Sequence, residues 1–142
     1  MRKLSVSSIG TYEKCPKQYH YRYIEKPEIE KKNWGFLEFG SCAHAVLEYF
    51  HKEIMDGAKP DDYNSIMKRS YEKAVNEFDK SILKEDVWTP DGDKSGIKYL
   101  KEIMQDYLRS SKEFGVPNVV GVEVPFNMSI DGYIMRGYID RV

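Results

Sequence analysis

The sequence has little of several features that define special classes of protein. Its two cysteines are too few for a disulfide framework or for a complete iron–sulfur cluster, which normally takes four. No apolar run approaches the ~20 residues that a membrane-spanning helix needs. The first residues lead into serines and not into the apolar stretch of a signal peptide. We therefore expect a cytoplasmic protein with no membrane association.

The chain also lacks a strong charge of either sign. Its 22 basic and 23 acidic residues give a net charge of −1, whereas a small nucleic-acid-binding module is usually basic. This balance argues mildly against binding through the phosphate backbone alone, although metal-binding carboxylates would offset the lysines of a nuclease. What the chain has in quantity is tyrosine, with eleven residues, and enough apolar residues (41%) for one folded domain.

Two short helices are predicted near the start of the chain. Ser5 or Ser7 can accept a hydrogen bond from the first turn of the first helix. Pro16 suits the first turn of the second helix, which we predict over residues 17–24. The polar composition of residues 25–35 predicts a loop.

Three longer amphipathic helices follow, because apolar residues recur there at helical spacing. Ser41 is the predicted cap of the first of them, and Asp56-Gly57 is predicted to end it. The other two are predicted over residues 63–80 and 96–113. Turn-forming residues at 88–93 predict a loop between them.

Residues 119–142 have the pattern of a β-hairpin, after the mainly helical residues 1–115. Apolar side chains alternate as they do along a strand, and Asp131-Gly132 is a strong signal for a two-residue turn. Two strands alone do not form a stable sheet. We therefore predict an α+β protein in which helices precede the first antiparallel hairpin of a larger sheet, with residues 1–142 forming one incomplete domain.

The predicted turn fixes a register that brings two carboxylates together. If Ile130 pairs with Tyr133, the numbers of paired residues sum to 263 and Glu123 lies opposite Asp140. Like charges directly opposite each other destabilise a sheet, and a divalent cation between them would reverse that effect, since hard oxygen ligands suit Mg²⁺ or Mn²⁺. The alternative, which the pair by itself favours, is an exposed face with two solvated carboxylates.

His44 opens the third predicted helix, where Glu48 and His51 follow on one face. Their spacing matches no standard zinc motif, and a single histidine at a helix start is usually structural. We expect His51 to be exposed to solvent. Cys42 lies near the apolar face and is expected to be a small core residue.

The segment Tyr19-His20-Tyr21-Arg22-Tyr23 combines aromatic and basic residues, with Lys17 and Lys26 beside it. Such groups together can stack bases and contact phosphates. The alternative is that Tyr12, Tyr19 and Tyr23 are half-buried packing residues of a small helix pair. The residues alone favour this second interpretation.

Taken in order, four segments resemble the RecB-like nucleases of the PD-(D/E)XK superfamily, whose members include nucleases of CRISPR adaptation and AddB-type exonucleases. The segments are LSVSSIGTYEKCPKQYHYRYI (4–24), FGSCAHAVLEYFHK (39–52), GVEVPF (121–126) and IMRGYIDRV (134–142). The resemblance implies the helical start and the first hairpin of a restriction-endonuclease-like core. It implies a metal-dependent DNA nuclease, an exonuclease on single strands or ends, in DNA repair, recombination or phage replication.

The resemblance also implies roles for individual residues, with Mg²⁺ or Mn²⁺ as the cofactor. Asp140 would be the central carboxylate ligand, His44 a further metal ligand, and Glu123 a support for the metal or its water. The groups that would contact DNA are Lys17, Tyr19, Arg22, Tyr23 and Arg141, the last of which would otherwise balance the carboxylates. A helicase or a recombination protein is an implied partner.

In the family, the next strand carries an acidic residue, one spacer and a lysine that complete the site. Neither falls within the chain, which reaches Val142, so we expect this chain alone to be inactive. Cys15 matches an early cysteine that some members use with three later ones for an iron–sulfur cluster, and the resemblance leaves that cluster open. Two alternatives are a non-catalytic DNA-binding or scaffold domain of the same fold and a helical protein-interaction module.

Overall fold

A computed structural model of the protein describes residues 3–28, 35–87, 89 and 92–142. Helices and strands are both present, which confirms the α+β prediction. In chain order the elements are β1 (Lys3–Leu4), α1 (Val6–Lys14), α2 (Pro16–Tyr19), a π-helical segment (His20–Glu25), α3 (Gly35–Met55), a 3-10 turn (Pro60–Asp62), α4 (Tyr63–Glu77), α5 (Lys80–Leu83), β2 (Asp86–Val87), β3 (Lys94–Ser95), α6 (Gly96–Phe114), β4 (Val122–Ile130) and β5 (Tyr133–Arg141).

The chain divides into two compact units. The sheet unit comprises residues 1–31 and 123–140, and the helical unit comprises residues 32–122 and 141–142. Among the described residues, no helix is both long enough and apolar enough to cross a membrane.

The helical unit is built on an apolar core between α3, α4 and α6. Burial of one valine, leucine, isoleucine, phenylalanine or methionine side chain in such a core stabilises the fold by ~1.5–3 kcal/mol. The apolar stripes that the spacing predicted are the faces that meet in this core. Its buried members are Cys42, Val46, Phe50, Tyr63, Ile66, Met67, Ala74, Val75, Leu83, Leu100 and Met104.

Helix α3 begins at Gly35, so the prediction of Ser41 as its cap was wrong. The part of the helix before Ser41 is stabilised by contact with a residue distant in sequence, because the ring of Phe39 stacks on that of Tyr99 with ring centres 5.7 Å apart. Gly35 lies so close to Glu85 that a Cβ there would be 2.8 Å from the carboxylate oxygen. Part of the loop predicted over 25–35, residues 29–34, lies outside the described residues.

A small antiparallel pair, β2 with β3, was not predicted. It pairs Val87 with Lys94 around the predicted loop of turn residues, of which Trp88, Pro90 and Asp91 lie outside the described residues. Two-residue strands carry too few side chains to show an alternating pattern. The helix predicted over 63–80 is α4, and it ends three residues earlier, at Glu77.

In the sheet unit, Ser5 caps α1 as predicted. Its hydroxyl accepts a hydrogen bond from the Ser8 amide (3.2 Å), and the Ser8 hydroxyl accepts one from the Ser5 amide (2.9 Å), forming a capping box. The second helix covers the predicted residues but changes type, because the α-helical turn from Pro16 continues as a π-helical segment. Lys26 ends it in the left-handed conformation, with φ of 50°.

Strands β4 and β5 form the predicted hairpin. Asp131 and Gly132 have φ of 47° and 81°, the two positive angles that a type I′ turn requires. At the open end, Gly121 and Val142 exchange backbone hydrogen bonds of 2.8 and 3.3 Å, as a directly opposed pair does. That pair obeys the register predicted from the turn.

A third strand, β1, completes the sheet in the order β1-β5-β4. It pairs in parallel with β5, with Lys3 opposite Ile134 and Leu4 opposite Met135. The sequence pattern did not predict it, because a two-residue strand whose partner lies about 130 positions away leaves no local signal.

Candidate metal centre and its surroundings

The hairpin brings Glu123 and Asp140 together within the sheet unit. Each offers a carboxylate oxygen within 4.8 Å of the other, Glu123 partly buried and Asp140 exposed. Two unit charges 4 Å apart repel by ~1 kcal/mol in water and by ~4 kcal/mol at an effective dielectric of 20. Oxygen ligands of this kind fit Mg²⁺ or Mn²⁺. A divalent cation would turn this repulsion into attraction.

Glu123 is also held in an unfavourable backbone conformation. Its φ is 49° inside strand β4, where residues with a Cβ ordinarily have negative φ. A left-handed residue other than glycine costs ~1–2 kcal/mol. Such outliers concentrate at functional sites. The pairing of Glu123 with Asp140 was predictable from the register, but this backbone outlier has no signal in the sequence.

His44 lies exposed on α3, in the helical unit. The neighbours on its helix do not form a zinc site with it. Glu48 accepts an ion-paired hydrogen bond from Lys52 at 2.5 Å, and both ring nitrogens of His51 have protein partners. The zinc interpretation of this helix face therefore finds no support.

His51 is buried, with 3% of its surface exposed, so the expectation of a solvated side chain was wrong. Its Nδ1 lies 2.7 Å from the Leu47 carbonyl oxygen, which can only accept, so Nδ1 carries the proton. Its Nε2 then accepts from Arg141 at 3.1 Å and lies 2.8 Å from the Tyr107 hydroxyl. The residue could have been predicted as internal, since it falls one helical turn from both Leu47 and Ile54.

Burial favours the neutral form of His51. Burial lowers the pKa of its imidazole below the usual 6.5, the hydrogen bond to Leu47 opposes this, and the charge of Arg141 lowers the pKa further. The same Arg141 guanidinium donates a hydrogen bond to Tyr107 at 2.9 Å. The residue that follows Asp140 in the chain is therefore tied to helices α3 and α6. A contact between Arg141 and DNA stays a prediction.

The tyrosines at the start of the chain pack in a row. Tyr19 contacts Tyr12 edge-on at 5.4 Å and Tyr23 at 5.2 Å. Hydrogen bonds from the side chains of Thr11 and Ser7 lower the pKa of the Tyr23 phenol. The prediction of half-buried packing residues is confirmed for Tyr19 and Tyr23, but it was wrong for Tyr12, which is 55% exposed.

Basic side chains lie beside these rings. Arg22 is 5.7 Å from the centre of the Tyr23 ring, and Lys17 is 6.0 Å from that of Tyr21. Both basic residues are exposed, so their charges are open to an anion in the solvent. The arrangement is compatible with a DNA contact, which stays a prediction.

The two cysteines differ in setting. Cys42 is fully buried, as predicted, and burial raises the pKa of its thiol to about 11. Cys15 is exposed at the junction of α1 and α2. Its Sγ accepts a hydrogen bond from the Gln18 amide at 3.4 Å. Cys15 therefore has a capping role in the described structure, and its use in an iron–sulfur cluster stays a prediction.

Comparison of the sequence with known proteins indicates a nuclease superfamily. The sequence profile of the PD-(D/E)XK nuclease superfamily matches residues 3–142. Similar curated proteins are the gene 69 protein of Mycobacterium phage D29, 27% identical over 158 residues, and that of Mycobacterium phage L5, 22% identical over 172 residues. Each alignment covers 97% of this chain but only 56% and 59% of the phage proteins. No solved structure matches the chain significantly.

Proposed function

Because the chain belongs to the PD-(D/E)XK nuclease superfamily, we propose that it carries metal-binding residues of a DNA nuclease that hydrolyses phosphodiester bonds with Mg²⁺ or Mn²⁺. The observation that carries this proposal is the carboxylate pair. Glu123 and Asp140 lie on neighbouring strands with oxygens within 4.8 Å, and the backbone of Glu123 is strained. Two like-charged groups directly opposite each other destabilise a sheet, and a divalent cation between them would reverse the sign of their interaction.

In the proposed site, Asp140 is the central ligand and Glu123 holds the ion or a water on it. His44 is assigned as a further ligand from the family resemblance. When bound, the metal lowers the pKa of a water molecule and neutralises charge that builds on the phosphate. The protein's part is to hold the oxygens in place and to position the DNA backbone.

For the substrate, we propose single-stranded DNA or DNA ends, cut as by the RecB-like and AddB-type exonucleases. Lys17, Tyr19, Arg22 and Tyr23 would contact the strand, with Arg141 as a further contact. The named relatives are phage proteins, which favours phage replication or recombination as the setting. The chain spans less than two thirds of those proteins, so a helicase or recombination partner and a cluster on Cys15 are proposed for a longer protein.

The test is calorimetric titration with Mn²⁺, because binding can be measured without requiring turnover. We expect the chain to bind Mn²⁺ and Asp140→Asn to abolish measurable binding. Glu123→Gln and His44→Ala should each weaken binding at least about tenfold, the scale seen even for outer-shell groups.

The matched control is Asp131→Asn, which removes a carboxylate from the turn of the same hairpin. Asparagine tolerates the positive φ of 47° at that position, so the fold should be kept. Equal loss of binding in Asp131→Asn and Asp140→Asn would show unspecific attraction to the hairpin. A folded chain that binds no Mn²⁺ would favour the alternative of a non-catalytic DNA-binding or scaffold domain of the same fold.

A further inference from the structure

Two cavities of the sheet unit lie side by side. The larger, about 930 Å³, lies between the N-terminus of α1 and the hairpin. The smaller, about 280 Å³, lies beside the tyrosine row. Ser5 and Arg136 line both cavities, so the two adjoin at these residues, and we name them together the Arg136 groove. Both volumes are in or near the range of small-ligand sites, far below what a whole duplex would occupy.

The Arg136 groove is positive although the chain as a whole is not. Its lining includes Arg136 and Lys26 but no aspartate or glutamate, in a chain with 23 acidic residues. The side chain of Arg136 has no ion-pair or hydrogen-bond partner among the described residues. The hydroxyls of Ser5, Ser7 and Ser8 add polar groups along the groove. This chemistry suits phosphate oxygens.

Aromatic rings lie at both ends of the groove. Tyr138, at one end, is 69% exposed, and the Tyr19–Tyr23 pair lines the other end. Beside Tyr138, the ring of Phe126 lies against Gly137, where a Cβ would be 2.8 Å from a ring atom. Exposed rings can stack on bases only where the bases are unpaired, as in a single strand.

We propose that the Arg136 groove binds single-stranded DNA, with Arg136 and Lys26 contacting phosphates and Tyr138 and the Tyr19–Tyr23 pair stacking bases. This inference rests on the proposed function and specifies its substrate surface. The proposed contact surface for the strand thereby extends from the first helices onto strand β5. That strand also carries Asp140 at its far end.

The experiment measures fluorescence anisotropy of a labelled 12-nucleotide single strand in EDTA, at several salt concentrations. Arg136→Ala should reduce the slope of log affinity against log salt by about 0.7, the value of one phosphate contact on a single strand. Tyr138→Ala should raise Kd roughly 5- to 150-fold, the range for one stacked base, and should leave the slope unchanged.

Each variant has a matched control. Arg109→Ala removes an exposed arginine of the helical unit, and Tyr133→Ala removes an exposed tyrosine of the same strand, outside the groove. Both should bind as the unaltered chain does. Thermal unfolding should be unchanged in all four variants, because all four side chains are exposed.

The proposal is overturned if the Arg136 and Tyr138 variants behave as their controls do, or if the unaltered chain does not bind the strand. It is also overturned if a blunt 12-base-pair duplex binds as tightly and with the same sensitivity to these variants. Because EDTA removes metal from the assay, the result is independent of the Mn²⁺ titration. Strand binding without Mn²⁺ binding would contradict only the nuclease proposal, and the reverse would contradict only the groove.

Discussion

The two units of the molecule differ in how they use their side chains. The helical unit buries a large apolar core that includes Phe50, Ile66 and Leu100. Among the described residues of the sheet unit, Ser8 alone is buried. The candidate carboxylates and the Arg136 groove both lie in this thinly packed unit. The apolar core and the candidate carboxylate pair therefore belong to different units, and substitutions at these two places should have effects of different kinds.

The largest expected effect is loss of the helical core. Phe50→Ala should lower the free energy of unfolding by ~3–5 kcal/mol, because removal of this fully buried ring loses its transfer free energy and leaves a cavity. The measurement is urea denaturation followed by circular dichroism. Met128→Ala, at a side chain of β4 that is 48% exposed, should cost less than ~1 kcal/mol. Similar losses for the two variants would break the comparison between the units.

A middle-sized effect is expected from the hydrogen bonds of the buried His51 in the helical unit. His51→Leu should lower the free energy of unfolding by ~1–3 kcal/mol, since Arg141 and Tyr107 lose a buried partner. The variant His20→Leu, at an exposed histidine of the sheet unit, should change it by less than ~0.5 kcal/mol. Equal losses would show that burial of His51 has no energetic weight.

The contribution of His51 to the free energy of unfolding should depend on pH. The pKa of His51 is lowered in the folded protein from the usual 6.5, so the unfolded chain binds the proton more readily. The stabilisation is complete above pH 6.5 and is lost as pH falls from 6.5 to the lowered folded pKa. Urea denaturation across this pH range should show a falling free energy of unfolding. In the variant His51→Leu the free energy of unfolding should depend less on pH. An unchanged slope in that variant would contradict the assignment.

The smallest change in stability is expected for a substitution at Glu123 in the sheet unit. Glu123→Gly should relieve a left-handed backbone and a repulsive pair, so the free energy of unfolding should stay unchanged or rise by up to ~1 kcal/mol. Binding of Mn²⁺ should fall at the same time. Glu123→Gln is the control that loses the charge but keeps the strained backbone. A clear loss of stability in Glu123→Gly would show that the residue is structural.

Much of this architecture could be predicted because its signals are local. Asp131-Gly132 predicts its own turn type, and the turn fixes the register that places Glu123 beside Asp140. Ser5 predicts the first helix cap, and the apolar stripes predict the helices of the core. In each case the residues that carry the signal are also the residues that make the structure.

What could not be predicted depends on partners distant in sequence. Helix α3 starts early because Phe39 stacks on Tyr99, and β1 exists because β5 lies beside it. The sequence predicts an exposed His51 because the side chain is polar, although its position on the helix places it on the same face as Leu47 and Ile54. The strained backbone of Glu123 is a tertiary property that register arithmetic does not contain.

The parallel pairing of Lys3 with Ile134 has a consequence for the order in which the protein assembles on the ribosome. A polypeptide emerges at about 5–20 residues per second, so the first strand waits on the order of ten seconds for its partner to be synthesised. The helical unit is nearly continuous in sequence, and its contacts can form during that interval, because short-range contacts form fastest. The segment that carries the tyrosine row is thus made before the helical unit, and its sheet is completed after that unit.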